Sequence, residues 1–360
     1  MWKALGGLLA MVALAGCSGG GGSAPAGSGS GSPASGGAAA LTGAGATFPY
    51  PLYTKWVSEY GKANPGIAIN YQSIGSGGGI RQITEKTVDF GASDAPMNDE
   101  QIGKAQGIVH IPTCLGAVVL AYNIEGVSTG LKLTPDTLAG IFLGDIKQWD
   151  DPKLKADNPD VALPAKPIAT VHRSDGSGTT KIFLDYLSAV SPAWAKGPGS
   201  GTSVSWPNGL GAKGNEGVSG QVKGQPNSIG YIELAYAMQN KMTMASLKNK
   251  AGKFVAPALE SITAAAAGAS AKMPEDLRIS IVDADGDAAY PISGFTYILL
   301  YGKQTDAAKG KALVGFLNWA LGDGQKLTSP LDYAPLPAEV VEKAKKRLAG
   351  VKGPDDKPLL

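Results

Sequence analysis

The run Arg173-Ser174-Asp175-Gly176-Ser177-Gly178-Thr179-Thr180 brings together one guanidinium, two glycines and the hydroxyls of Ser177, Thr179 and Thr180. Ile182-Phe183-Leu184 and Tyr186-Leu187 follow with the spacing of a helix, so the run sits where that helix begins. A helix start presents free backbone N–H groups and the positive end of a dipole, which together suit an anion. Gly176 and Gly178 let a ligand approach the backbone, the hydroxyls add donors, and the Arg173 fork matches two oxygens of a tetrahedral oxyanion. The plainer alternative is an ordinary helix cap, for which Ser, Asp and Gly are equally suited.

Other elements repeat this chemistry. Leu41 to Phe48 reads as a strand entering a glycine-rich turn, followed by a helix carrying Leu52, Trp56, Val57 and Tyr60. Ile67–Ile74 alternates as a strand and ends in Gly75-Ser76-Gly77-Gly78-Gly79, with a helical pattern over Ile80–Thr87. Val88–Asp94 is a short strand stopped by Pro96, and Ile168–His172 is the strand that leads into the Arg173 run. Four strand-like segments thus end in Gly/Ser/Thr/Asp turns. In α/β sheets the ligand crevice lies at the carboxyl ends of the strands, so these turns are expected to form one cage. Ile108–Tyr122 reads as a strand pair or one long strand, Ile279–Val282 and Tyr297–Tyr301 as strands, Ala308–Trp319 as a helix, and Ser261–Ala271 as a long Ala-rich helix.

The N-terminus reads as a processing signal. Met1-Trp2-Lys3 is positive, Leu5–Ala13 is apolar but too short to span, and Leu14-Ala15-Gly16-Cys17 resembles the bacterial lipoprotein box, in which Cys17 carries the lipid. Residues 18–40 are almost wholly Gly, Ser, Ala and Pro, the composition of a tether. The remaining body of about 320 residues is large enough for two lobes. A formal net charge of +2, with basic residues scattered, argues against nucleic acid as a partner, and Lys343–Arg347 reads as the solvated face of an amphipathic helix. Cys114, set among Ile111, Leu115, Val118 and Val119, reads as a buried thiol. Two histidines and no Cys/His cluster give no metal site, and no cofactor is expected.

The body resembles the phosphate-binding proteins of bacterial high-affinity phosphate ABC importers. The likeness is carried by Thr42–Pro49, Gly75–Gly78, Asp89–Asp94, Gly144–Asp150, Arg173–Thr179, Trp206–Gly211 and Leu331–Pro337, in order. It implies an α/β, two-lobed periplasmic-binding-protein (Venus-flytrap) fold that closes on one inorganic phosphate in the cleft between the lobes. The ligand contacts it implies are Thr47, Phe48, Ser76, Asp94, Arg173, Ser177, Gly178 and Thr179, with Phe48 and Gly178 acting through backbone N–H. From its own spacing, two residues after Arg173, Asp175 could pair with the guanidinium and hold its fork toward the ligand, the plainer alternative being a solvated turn aspartate. Lobe I would comprise residues 41–113 and 290–360 and lobe II residues 114–289, after a signal peptide at 1–16 and a lipidated tether at 17–40. The chain departs from its relatives at Gly77, where a second serine is frequent, and at His172, where an arginine is common.

The resemblance implies a binding protein, not an enzyme. It would be extracytoplasmic, lipid-anchored and monomeric, with the permease subunits of the importer as partners. Asp94 would accept the phosphate O–H and oppose fully deprotonated sulfate. The alternatives are a receptor for another oxyanion (sulfate or arsenate), a phosphate-handling enzyme, and an adhesive surface lipoprotein. Asp283-Ala284-Asp285-Gly286-Asp287 superficially matches a calcium loop, but Gly294 occupies the place of the final Glu, so it reads as a polar turn.

Overall fold

A computed structural model of the chain describes residues 39–360. The signal segment, Cys17 and the tether up to residue 38 lie outside the described residues. The described strands are β1 (Ala39–Gly45), β2 (Ile67–Ser73), β3 (Phe90–Ser93), β4 (Ile108–Asn123), β5 (Lys132–Leu133), β6 (Ala169–Arg173), β7 (Leu210–Ala212), β8 (Ser228–Glu233), β9 (Thr243–Met244), β10 (Ser246–Lys248), β11 (Phe254–Val255) and β12 (Ser293–Tyr301). The order β2-β1-β3-β12-β4-β8-β6-β7 runs through one path, with β9 alongside β4, while β11-β10-β5 form a small separate sheet.

One strand joins two sheets. β4 pairs antiparallel with β12 up to Ala117, then with β8 from Val118 onward. Its residues are buried throughout save Asn123, as a strand covered on both faces requires. Before that switch stand the parallel strands β2, β1 and β3; after it stand the parallel strands β8, β6 and β7. Two sets of parallel strands therefore present their carboxyl ends.

Each sheet is held by helices whose apolar faces follow from their sequences. The helix Tyr50–Ala63 buries Leu52, Tyr53, Trp56 and Tyr60, one stripe of a 3.6-residue repeat. Trp56 Nε1–H donates to the Gly324 carbonyl at 2.8 Å, which satisfies the indole in the core. The helix Gly178–Val190 buries Ile182, Phe183, Tyr186 and Leu187. Phe183 stacks on Tyr231 with centroids 4.5 Å apart and meets Phe142 edge-on at 4.9 Å. Cys114 is fully buried, and burial pushes its thiol well above the ordinary range, so it is a small apolar core residue.

Three elements differ from the sequence expectation. Ile279–Val282 is irregular rather than a strand: the Ile279 N–H and carbonyl bond the Tyr297 hydroxyl, at 3.4 and 3.2 Å, instead of a neighbouring ladder. The long helix over Ser261–Ala271 is two short ones, Leu259–Ala266 and Ala269–Lys272, interrupted at Ala267–Gly268. Glycine there forfeits helix propensity. Ala39 and Ala40, counted with the tether, are already paired with Ile67 and Ala68 as the start of β1.

Candidate functional site

The strand ends converge. β1 leads to Thr47 and Phe48, β2 to Gly75 and Ser76, β3 to Asp94, and β6 to Arg173–Thr179. All eight expected contact residues, Thr47, Phe48, Ser76, Asp94, Arg173, Ser177, Gly178 and Thr179, are buried. Three helix starts lie among them, at Tyr50, Ser76 and Gly178.

At the Gly178 helix, Ser177 is the cap. Its Oγ accepts the Thr180 N–H at 3.0 Å, its carbonyl accepts Lys181 N–H at 3.1 Å, and its own N–H donates to Thr202 O. The N–H groups of Gly178 and Thr179 have no acceptor among the described residues and are the open donors of the first turn. Phe48 N–H likewise has no acceptor among the described residues. Gly178 packs against the other set of strand ends: a Cβ there would collide with Ser76 Oγ and sit 2.6 Å from Asp94 Oδ2. Only glycine permits that approach.

Arg173 is held rigidly. Its side chain is 1% exposed, and Nε and Nη2 donate to the two Asp175 oxygens at 2.7 and 2.6 Å. Nη1 donates to Thr179 Oγ1 at 3.3 Å, and the backbone N–H donates to the Tyr231 hydroxyl at 3.0 Å. Burial alone would push the Asp175 carboxyl up. The Arg173 bonds and the Gly214 N–H together outweigh it, leaving the acid below its usual range.

Asp94 sits differently. Its Oδ1 accepts from the Thr296 hydroxyl at 2.8 Å, and Oδ2 faces Ser76 Oγ at 3.4 Å. Burial pushes its pKa up to about 7, against the opposing pull of Thr296, Arg173 and Ser76. The cluster thus holds one arginine and many N–H and O–H donors, with one carboxylate inside that can accept.

The two sets of strand ends touch. Gly77 N–H donates to Gly176 O at 2.8 Å, and a Cβ on Gly77 would lie 3.1 Å from Gly176 Cα. Tyr236 donates to the Thr47 carbonyl at 2.6 Å, and Asn215 Nδ2 donates to Thr47 Oγ1 at 2.7 Å. His172 is half-buried and stacks on Trp206 with centroids 4.7 Å apart, so it does not enter the cluster.

Sequence reasoning missed Asn215, Thr296, Tyr236 and Glu233. Asn215 follows β7 in Gly214-Asn215, the same Gly/Asx punctuation that marked the other turns. Glu233 closes β8, the sixth strand end; its Oε2 accepts Ala235 N–H at 2.7 Å, while Oε1 is buried without a hydrogen-bond partner among the described residues. Burial holds its carboxyl well above the usual carboxylate range. Thr296 lies mid-strand and carries no local signal.

A family model described as a PBP superfamily domain matches residues 30–323. The phosphate-binding protein PstS of Xylella fastidiosa is 47% identical over 303 residues, covering 84% of this chain and 83% of its own. That of Haemophilus influenzae is 47% identical over 306 residues, 85% and 91% of the two chains. A solved structure of a phosphate-binding protein from Stenotrophomonas maltophilia superposes with a TM-score of 0.67 at 19% identity, over 89% of this chain and 98% of that one. With that coverage and identity, the chain belongs to the PBP superfamily and, within it, to the PstS family of phosphate-binding proteins.

Proposed function

We propose that this chain binds inorganic phosphate outside the cytoplasm and hands it to the permease of an ABC-type phosphate importer. The observation that carries the reading is the composition of the cluster: Arg173 and converging N–H and O–H donors around one carboxylate acceptor, Asp94. Monohydrogen phosphate offers acceptor oxygens and one proton, and so complements both kinds of group. Sulfate has no proton, and an ionised Asp94 would face its oxygen with lone pairs opposed, a costly arrangement. The names borne by the relatives, phosphate-binding protein PstS, support the same ligand.

In this reading Thr47, Phe48, Ser76, Asp94, Arg173, Ser177, Gly178 and Thr179 contact the ion, and Asp175 fixes the Arg173 fork. Residues 41–113 and 290–360 form one lobe and 114–289 the other. A ligand that touches both lobes binds the closed form better, which is what shifts the population on binding. The protein acts as a monomer, without metal or cofactor. Cys17 carries the lipid, and the Gly/Ser-rich tether holds the body near the membrane.

Isothermal titration of anion-stripped protein with phosphate, sulfate and arsenate tests the ligand. Tight phosphate binding with sulfate silent is expected; equal binding of sulfate would leave only a general oxyanion receptor. For the anchor, Cys17→Ser should move the protein from the membrane to the soluble fraction, and an unchanged distribution would remove the lipid assignment.

A further inference from the structure

Asn215 lies outside every motif that carries the family resemblance, and it is fully buried where the two sets of strand ends meet. Its amide is oriented by its neighbours. Oδ1 accepts the Glu233 N–H at 3.0 Å, so the NH2 end points the other way. That end donates to Thr47 Oγ1 at 2.7 Å and to Thr179 Oγ1 at 3.3 Å. Thr47 comes from the end of β1 and Thr179 from the helix after β6, so one amide serves a hydroxyl from each sheet.

A threonine hydroxyl has two acceptor positions and one proton to give. Thr47 Oγ1 also accepts the Asn215 backbone N–H at 3.3 Å, and Thr179 Oγ1 also accepts Arg173 Nη1 at 3.3 Å. Both lone-pair positions on both oxygens are therefore taken by donors. Each hydroxyl retains only its O–H, and that hydrogen must point away from Asn215.

Resting on the phosphate reading, we propose that Asn215 is a positioning residue that turns Thr47 and Thr179 into obligate donors toward the bound anion. Without it, either hydroxyl could rotate, give its proton to a neighbouring carbonyl or carboxylate, and face the ion with a lone pair. The same amide links the two sheets only when they are together, so it favours the arrangement in which the donors converge. The role differs from a ligand contact: Asn215 acts through the hydroxyls, so its effect must shrink when either hydroxyl is absent and vanish only when both are.

The test is titration of the anion-stripped full chain with inorganic phosphate, for wild type, Asn215→Ala, Thr47→Val and the double variant, each with its ligand-free thermal midpoint. Asn215→Ala should weaken phosphate binding by about tenfold or more, as expected for disordering hydrogen bonds to a charged ligand. In the Thr47→Val background the same change should cost markedly less, because half of what Asn215 orients is already gone. A purely structural asparagine would lower the midpoint and weaken binding by the same factor in both backgrounds; that result, or binding within twofold of wild type, overturns the proposal. If Asn215→Ala does not fold, Asn215→Asp carries the test. It is isosteric and keeps the Glu233 bond but accepts the hydroxyl protons, so it should weaken binding by at least a hundredfold in wild type and by less in Thr47→Val, and an equal loss in both backgrounds overturns the proposal. Wild type that fails to bind phosphate removes the functional reading and this inference with it, whereas tight wild-type binding unchanged in Asn215→Ala removes this inference alone.

Discussion

Asp94 should cost the ligand-free protein stability at neutral and alkaline pH, and Asp94→Asn should recover it. The carboxyl is raised from its usual 3.8 to about 7 by burial. Below about pH 4 it is protonated folded or unfolded and costs nothing. Between 4 and 7 the folded protein holds a proton that the unfolded chain has lost, so stability falls as pH rises; above 7 the acid is ionised in both states and the full cost is present. At about 1.4 kcal/mol per unit, that cost is about 4 kcal/mol. Asparagine has the same shape, can still accept from Thr296, and carries no charge to desolvate. Urea unfolding of anion-stripped wild type and Asp94→Asn at pH 4, 6 and 8 reads the difference directly, and contributions from other titrating groups cancel between the two proteins. The variant should match wild type at pH 4 and exceed it by about 4 kcal/mol at pH 8. A difference that does not change with pH would refute the reasoning and show that Asp94 is hydrated when no anion is bound.

Three further outcomes follow from the same geometry. Sulfate, excluded by an ionised Asp94, should begin to bind wild type as pH falls below about 7, because the protonated carboxyl can donate to a sulfate oxygen; titration at pH 5 and 8 checks this, and Asp94→Asn should show no such pH step. Gly178→Ala places a methyl against Ser76 and Asp94, and overpacking of this kind should weaken phosphate binding roughly tenfold to a hundredfold; unchanged affinity in a titration would mean that the helix start stands further from those groups when the ion is bound. His110 is buried, its Nε2 accepts the Met97 N–H at 3.0 Å, and burial followed by the nearby Arg278 charge lowers its pKa to about 4. The stability it lends is present above about 6.5 and lost as pH falls toward 4, and NMR titration should find the ring unprotonated at pH 5.5, whereas an inflection at 6.5 or above would refute its burial as the cause.

Much of the site was legible because its parts are local. A strand that ends in Gly/Ser/Thr/Asp and runs into a helix announces an N–H-rich turn from its own residues, and four of the six converging strand ends do so. The two missed ends, at Asn215 and Glu233, follow strands of three and six residues, too short or too uniformly buried to alternate. Thr296 was illegible for another reason. Its hydroxyl reaches Asp94 because β12 lies between β3 and β4, a pairing across some 200 residues of chain that no window of sequence contains. Ile279–Val282 shows the converse error: an apolar run carries strand propensity, but the Ile279 N–H and carbonyl are taken by the Tyr297 hydroxyl, and tertiary context overrides the pattern.

The division of charge between the two sheets explains why the site needs both. The strand ends before the β4 switch contribute Asp94, an acid made reluctant to ionise by burial, together with Thr47, Phe48 and Ser76. Those after it contribute Arg173, whose fork is already committed on one side to Asp175. Neither half is a good anion site alone. The first presents a carboxylate to an anion, and the second spends half its cation on a carboxylate of its own. Brought together, they offer a positive group, a ring of donors and one acceptor at fixed positions, and only an ion bearing both oxygens and a proton satisfies all three. In the proposed phosphate-binding reading, selectivity then arises from closure itself, because the acceptor that would reject sulfate and the arginine that would attract any oxyanion stand on opposite sides of the β4 switch.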